Sequence, residues 1–527
     1  MLSLARLSFV LLLCIDATLA WPEGPQARRL VVDLEKRSTV RLPFVQRVSS
    51  SKAAASSLAA AASSSSKTTA LTTTTASSST TTPPPQTTSS RTTTSSVAPS
   101  TTSTISSTSR PPATTAPPST TTTTITTTTT STTTTPACAA SYRGGPFTIS
   151  GTGTLPKPTT FVKRSGQQLT LNGGNFRIAG PNIYWLCQDE NSGPAWGYWT
   201  DKGRVREALA VAVAMGANTV RLMSCGVSVG SNNPYNLELS NGNWQDVAWD
   251  IRDYVIYAAG QYGLRVVLPL TDNYNYYHGG KYSILGFSGA STANKGAAFY
   301  TDTNTMNIYK AYITKFLQHT NVYNGKRYAD DPTILAWETG NELGGYMNAE
   351  MWPPASWTSA IVSAIKAVDG NHLIIDGTNG IWNYTTGATP AGLNVAGIDI
   401  VSDHSYPRKT DILSKELGIA SAAKKGFLIG EFDWTAAGGG VSLPTYLSAI
   451  EQSGSYLGSM MWSVFGHDAQ CCNYVTHNDG YSLYYPSGPN SAADQSNALL
   501  VVQHFYRLTG RSPPSSLPGV ACPQPVF

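Results

Sequence analysis

Beyond its first twenty residues the chain has no apolar run approaching the roughly 18 residues that a membrane-crossing helix needs, so no membrane span is expected. It also lacks any Cys-x-x-Cys pair or Cys/His spacing of the kind that holds structural zinc, and neither a metal nor another cofactor is expected. Large apolar residues are scarce from about Ser49 to Pro136, a stretch made almost entirely of Ser, Thr, Ala and Pro. Such a segment cannot bury a core and is expected to be disordered or extended. Basic charge, finally, is missing where nucleic acid would require it. The chain carries a net +5. Residues 21–137 hold ten Lys/Arg against Glu23, Asp33 and Glu35, and Arg6 cancels Asp16, which leaves about −2 from residue 138 onward. That part has no electrostatic case for a nucleic-acid partner.

What the chain does contain begins with a leader. Arg6, the apolar run Phe9 to Ile15 and the small-residue site Thr18-Leu19-Ala20 read as a secretory signal over residues 1–20. The chain ends carry no lipid-anchor pattern, so a secreted, extracellular protein is expected. Residues 21–137 form a Ser/Thr/Pro-rich stalk or pro-region, with dibasic pairs Arg28-Arg29 and Lys36-Arg37 ahead of the low-complexity tract. After Cys14 six cysteines remain, an even number that suits up to three disulfides in an oxidising compartment. The neighbours Cys471 and Cys472 are expected to bridge to two different partners.

From Cys138 to Phe527, short apolar runs alternate with amphipathic stretches. Strands are expected at 176–185, 219–224, 265–270, 334–342, 373–378, 399–406, 427–434 and 458–466. Helices are expected at 202–215, 244–262, 304–319, 356–368, 411–425, 443–453 and 493–508. Eight strands with intervening helices imply parallel pairing through right-handed crossovers. The expected fold is α/β, a (β/α)8 TIM barrel over residues 138–527; a doubly wound sheet gives a similar alternation. The count of eight, and a polar residue near the end of nearly every strand, favour the barrel, whose active sites lie at the C-terminal strand ends.

Two of those ends stand out. Ile334-Leu335-Ala336-Trp337-Glu338-Thr339-Gly340-Asn341-Glu342 and Phe427-Leu428-Ile429-Gly430-Glu431-Phe432-Asp433-Trp434 are apolar runs leading to a carboxylate. A charge at the end of a buried strand is costly unless paired or used. Two of them, on separate strands of an aromatic-rich protein, suggest the carboxylate pair of a glycosidase.

At these residues the chain resembles glycoside hydrolase family 5, the retaining (β/α)8 glycosidases, and within it the secreted endo-β-1,4-mannanases. The resemblance rests on Asn-Thr-Val-Arg (218–221), Asn-Glu (341–342), Asp-His-Ser-Tyr (403–406), Gly-Glu-Phe (430–432) and Met-Trp-Ser (461–463). Residues 179–185 and Asp272-Asn273-Tyr274 with Gly279-Gly280 resemble the mannanase first strand and third loop. It implies Glu342 as general acid/base, with a raised pKa, and Glu431 as an ionised nucleophile. It further implies Arg221 and Tyr406 beside Glu431, Asn341 on the sugar 2-hydroxyl, His404 in the acid/base network, and Trp185 and Trp462 as flat faces for pyranose rings. Glu338 is read as structural, and Asp272 and Asp376 as structural or loop-positioning. The chain departs from the family where Leu343-Gly344-Gly345 replaces the usual Pro after the acid/base, and where Asn273-Tyr274 replaces Asn-Trp.

The implied activity is hydrolysis of mannan or glucomannan by a monomer. A β-1,4-glucanase and an exo-β-mannosidase are alternatives, the latter if the insertion Tyr274–Tyr300 closes one end of the cleft. A barrel that binds carbohydrate without cleaving it is a further alternative. Gly226-Val227-Ser228-Val229-Gly230 matches a serine-hydrolase elbow, but loop residues follow it where that elbow needs a helix. Asn383-Tyr384-Thr385 is the one N-glycosylation sequon.

Overall fold

The computed structural model describes residues 155–345, 352–477 and 479–527. The expected leader, the Ser/Thr-rich segment and Cys138 lie outside these residues.

Eight parallel strands form the centre. They are β1 (Ile178–Pro181), β2 (Thr219–Arg221), β3 (Arg265–Pro269), β4 (Ile334–Glu338), β5 (Leu373–Asp376), β6 (Ile400–Ser405), β7 (Gly426–Phe432) and β8 (Tyr456–Met461). Their hydrogen-bonded order is β1-β8-β7-β6-β5-β4-β3-β2. The ring closes between β1 and β2. There Asn182 bridges Arg221 in parallel, and the Ile183 N–H donates to the Arg221 carbonyl at 3.0 Å. Gly180 makes this approach possible: at φ +157° it has no side chain, and a Cβ there would collide with the Thr219 carbonyl. The result is a (β/α)8 barrel.

Seven helices follow the strands as α1 (Lys202–Ala214), α2 (Trp249–Gln261), α3 (Thr303–Gln318), α4 (Ala355–Val368), α5 (Thr410–Ala422), α6 (Leu443–Gln452) and α7 (Ala492–Leu508). Four begin on a side-chain cap: Asp201, Asp302, Ser442 and Ser491 each accept a hydrogen bond from a first-turn N–H. The strands are buried on both faces, as parallel strands under a helical layer must be. One apolar cluster joins Ile178, Val267, Ala336, Ile400, Leu428 and Met460 to Val162, Leu169 and Phe176. The last three belong to or flank an antiparallel sheet at 163–176 that plugs the N-terminal end of the barrel. A larger cluster fills the space between strands and helices.

Several expected boundaries change. The first expected strand divides, because Gly174–Phe176 pairs with the plug and only Ile178–Pro181 joins the barrel. The second ends at Arg221, and Met223–Gly226 winds into a short helix. Asn243-Trp244 pairs with Glu238–Ser240 instead of opening α2. The strand β4 stops at Glu338, four residues before Glu342. Two disulfides, Cys187–Cys225 and Cys472–Cys522, lie in the described residues. Cys471 is disulfide-bonded too, so the adjacent cysteines do not bridge each other. Such bonds persist in oxidising compartments.

Candidate active site

The C-terminal strand ends converge on Arg221, at the end of β2 and 1 % exposed. Its guanidinium donates to both oxygens of Glu338, at 2.7 and 2.9 Å. It also donates to Glu431 Oε1 at 2.8 Å, Asn182 Oδ1 at 3.0 Å and Asn341 Oδ1 at 2.8 Å. Five directed contacts from one planar fork are what arginine can make and lysine cannot. Burial pulls the Arg221 pKa down, but the charges of Glu338, Glu431 and Glu342 and the Glu338 hydrogen bonds outweigh it and raise the pKa.

Glu431 lies on β7 with its second oxygen accepting from the Tyr406 hydroxyl at 3.0 Å. Glu342 faces it from beyond β4. The backbone there still runs between its neighbours, since the Asn341 N–H donates to the Thr271 carbonyl at 2.8 Å and the Leu343 N–H to the Gly377 carbonyl at 2.8 Å. Glu342 Oε1 takes a hydrogen bond from His404 Nδ1 at 2.7 Å, and Oε2 takes one from the Tyr274 hydroxyl at 2.7 Å. One oxygen of Glu342, one of Glu431 and a His404 ring nitrogen lie within 4.8 Å of one another. Three such donors also match a cation's needs, yet Arg221 and His404 already supply positive charge to both carboxylates.

The protonation pattern corrects the expected one. Burial pushes the Glu342 carboxyl up, but the His404 hydrogen bond and charge, Tyr274 and Arg221 together bring it below the ordinary glutamate value. Burial also pushes Glu431 up; His404 and Arg221 oppose this, the Glu342 charge adds to it, and the balance stays above the ordinary value. His404 is held at about 8 because the charges of Glu431 and Glu342 overcome its burial. The three groups therefore share protons as one cluster, with a charged His404 beside an ionised Glu342.

The aromatic residues part company. Trp462 is half-buried, stacked on Tyr184 with ring centroids 5.3 Å apart, and its indole N–H donates to Asp479 at 3.0 Å. Trp185 is a correction: expected as a sugar platform, it is 0 % exposed. Its N–H bonds the Val464 carbonyl, and the Arg204 guanidinium covers its ring at 3.8 Å. The backbone turns after Pro181, so the side chain packs into the wall of the barrel instead of the cleft. Asn341 is placed beside Arg221 and donates to Asp272 at 3.0 Å, while Asp272 also contacts His278 at 3.0 Å. The reading by sequence missed Tyr274 as a partner of Glu342 and Asn182 as a partner of Arg221. Both stand in stretches already singled out, but nothing in linear order aims them at the carboxylates. Ser228 of the elbow-like motif is fully buried and donates to Gln188 at 2.6 Å, with no histidine among its hydrogen-bond partners in the described residues.

A family model described as GH family 5 beta-mannosidase-like matches residues 159–416. Over that stretch the chain is similar to glycoside hydrolase family 5. Mannan endo-1,4-beta-mannosidase 1 of Arabidopsis thaliana is 26% identical over 388 residues, covering 65% of this chain and 90% of the relative. A mannan endo-1,4-beta-mannosidase 1 of Oryza sativa is 27% identical over 380 residues, covering 63% of this chain and 83% of the relative. Among solved structures, the endo-1,4-beta-mannanase from Rhizomucor miehei superposes with a TM-score of 0.53 at 21% identity, over 67% of this chain and 100% of that one. The endo-beta-1,4-mannanase from Thermotoga petrophila gives a TM-score of 0.53 at 20% identity, over 64% and 78%. These structures share the barrel fold. The chain is a glycoside hydrolase, and its facing carboxylates lie at the C-terminal strand ends of the barrel.

Proposed function

We propose that this protein is a secreted, monomeric endo-β-1,4-mannanase that cleaves mannan or glucomannan with retention of configuration. The observation that carries the reading is the facing pair Glu342 and Glu431, with oxygens within 4.8 Å of each other, close to the roughly 5–5.5 Å spacing of retaining enzymes. An inverting pair would stand farther apart to admit a water. The names of the plant relatives support β-1,4-mannosidic bonds as the target, and the leader-like start and the disulfides support secretion. Residues 138–527 act as the catalytic domain.

In the first step Glu431 attacks the anomeric carbon while Glu342 gives a proton to the departing glycosidic oxygen. The resting cluster holds that proton on His404, and the 2.7 Å contact from Nδ1 to Glu342 Oε1 passes it to the acid. Glu431 stays ionised through Arg221 and Tyr406. In the second step Glu342, now a base, takes a proton from water, which attacks the glycosyl–Glu431 ester. Asn341 meets the sugar 2-hydroxyl, and Trp462 offers a flat apolar surface to a ring. Tyr274–Tyr300, the insertion that raised the exo alternative, supplies a donor to Glu342 from one side of the cleft.

The test is turnover of mannan by Glu431→Ala and Glu342→Gln. Each is expected to lose several orders of magnitude, about 10³-fold or more, while mannan binding survives. Products from a manno-oligosaccharide ladder separate endo from exo action. Release of single mannose throughout would overturn the endo reading, and wild-type protein that binds mannan but cleaves no β-mannoside would overturn the mannanase reading.

A further inference from the structure

Glu342 stands in a backbone conformation that L-residues seldom adopt, with φ +51°, which costs on the order of 1 kcal/mol or more. It lies past the end of β4, where bridges at Asn341 and Leu343 hold the backbone but do not aim the side chain. Something outside the strand must hold the carboxyl in place. His404 holds one oxygen from β6. The insertion between β3 and α3 holds the rest.

We propose that Tyr274, on that insertion, is a positioning residue for the acid/base, and that Asn273 and Lys281 clamp the loop that carries Glu342. This rests on the reading of Glu342 as the acid/base. The Tyr274 hydroxyl donates to Glu342 Oε2 at 2.7 Å. Next to it, Asn273 Nδ2 donates to the Gly345 carbonyl at 2.9 Å, and Lys281 Nζ donates to Asn273 Oδ1 at 2.7 Å. Asn273 and Lys281 are buried, so these bonds are formed away from water, where a directed contact is stronger. The departure at Leu343-Gly344-Gly345 fits the same arrangement. A Cβ at Gly345 would run into the Tyr274 hydroxyl, and one at Gly344, at φ +83°, into Trp352. The two glycines let the loop lie close enough for the phenol to reach the acid, and phenylalanine at 274 has no hydroxyl to do so.

The effect on chemistry follows from the charge state. A donor to a carboxylate favours its ionised form. The charged and titratable groups facing Glu342 are His404 from β6, Tyr406 just past it, Arg221 from β2, Glu431 from β7, and Tyr274 from the insertion, with Asp403 of β6 acting on it through charge. Of these, Tyr274 and His404 are the two that hydrogen-bond its oxygens.

The experiment is the pH profile of Tyr274→Phe on a manno-oligosaccharide, with Glu342→Ala run in parallel on that substrate and on an aryl β-mannoside with a good leaving group. Removing a charge-assisted hydrogen bond is expected to lower kcat about tenfold with KM within about twofold. The alkaline limb of kcat/KM, which reports the proton shared by His404 and Glu342, should move up by as much as about one pH unit, because the ionised Glu342 has lost a donor. A profile and kcat indistinguishable from wild type would overturn the proposal. Lys281→Met should lower kcat in the same direction by loosening the loop, and an unchanged kcat there would remove the clamp. If Glu342→Ala leaves oligosaccharide cleavage intact, the acid/base reading itself falls. If that variant cleaves only the activated aryl substrate and Tyr274→Phe behaves as wild type, the reading stands and only the role of Tyr274 is lost.

Discussion

Replacing Arg221 by methionine tests the electrostatic centre of this site directly. Methionine keeps the unbranched stem and much of the volume of arginine, so the change removes chiefly the charge and the hydrogen bonds of the guanidinium. Five contacts disappear, and Glu338 and Glu431 lose their shared cation. Glu338 is the more exposed to this loss in energetic terms, since both its oxygens bond Arg221 and its side chain is buried at 3% exposure. Glu431 keeps Tyr406 and the nearby His404. Removing one partner of a buried ion pair costs about 3–5 kcal/mol, because the charge left behind has neither water nor a counter-ion. For a folded region of about 370 residues the unfolding entropy is about 0.8 kcal/mol/K, so Tm should fall by about 4–6 °C. Scanning calorimetry of wild type and variant at pH 7 measures this. A second variant sharpens the test: Arg221→Met combined with Glu338→Leu should recover a good part of the loss, because a buried pair replaced by apolar residues is close to neutral. A single variant within 1 °C of wild type, or a double variant no better than the single, would refute the reasoning. Turnover should stay low in both, since Glu431 has lost the partner that keeps it ionised.

Three further outcomes follow from the same geometry. His404 is raised to about 8 in the folded protein, above its ordinary value near 6.5; its contribution to stability is full below pH 6.5 and lost as pH rises through about 8, so Tm should decline more steeply across that window in wild type than in His404→Gln. Glu416, buried on α5 against Asp403, is pushed up to about 10 by burial first and then by the Asp403 charge; its contribution is present below about pH 4.5 and is lost as pH rises through 10, so Glu416→Gln should hold its Tm between pH 8.5 and 10 while wild type falls, as read by thermal melts. Trp185→Ala should lose about 3–5 kcal/mol of stability in denaturant titrations with KM unchanged, whereas Trp462→Ala should raise KM for mannohexaose several-fold with a small change in Tm.

Much of the site was legible before any coordinates because each of its groups ends or follows a short apolar strand. Arg221, Glu431 and Asp403 to Ser405 are strand residues, with Tyr406 directly after, and the alternation of strand and helix fixes which end of the barrel they face. Trp185 failed for the opposite reason. It follows β1 across a turn, and period-two logic does not extend through a turn, so its direction depended on where Val464 and Arg204 pack. Tyr274 was missed because its contact spans 68 residues and passes through a loop. The charge ordering of Glu342 and Glu431 was also out of reach, since it depends on distances to His404 and Arg221 of a few ångströms.

Composition and periodicity by themselves favoured the (β/α)8 barrel over a doubly wound sheet, separated a core-forming region from a Ser/Thr-rich one, and singled out two strand-end carboxylates. These depend on local properties: apolar runs too short for membranes, turn residues between them, and a charge that burial makes costly. Tertiary structure alone decided who holds each carboxylate. Glu342 sits outside its strand at a positive φ, and its hydrogen bonds come from β6 and from the insertion after β3. Its acidity is therefore set by groups that the chain keeps 62 and 68 residues apart and that only closure of the barrel brings together.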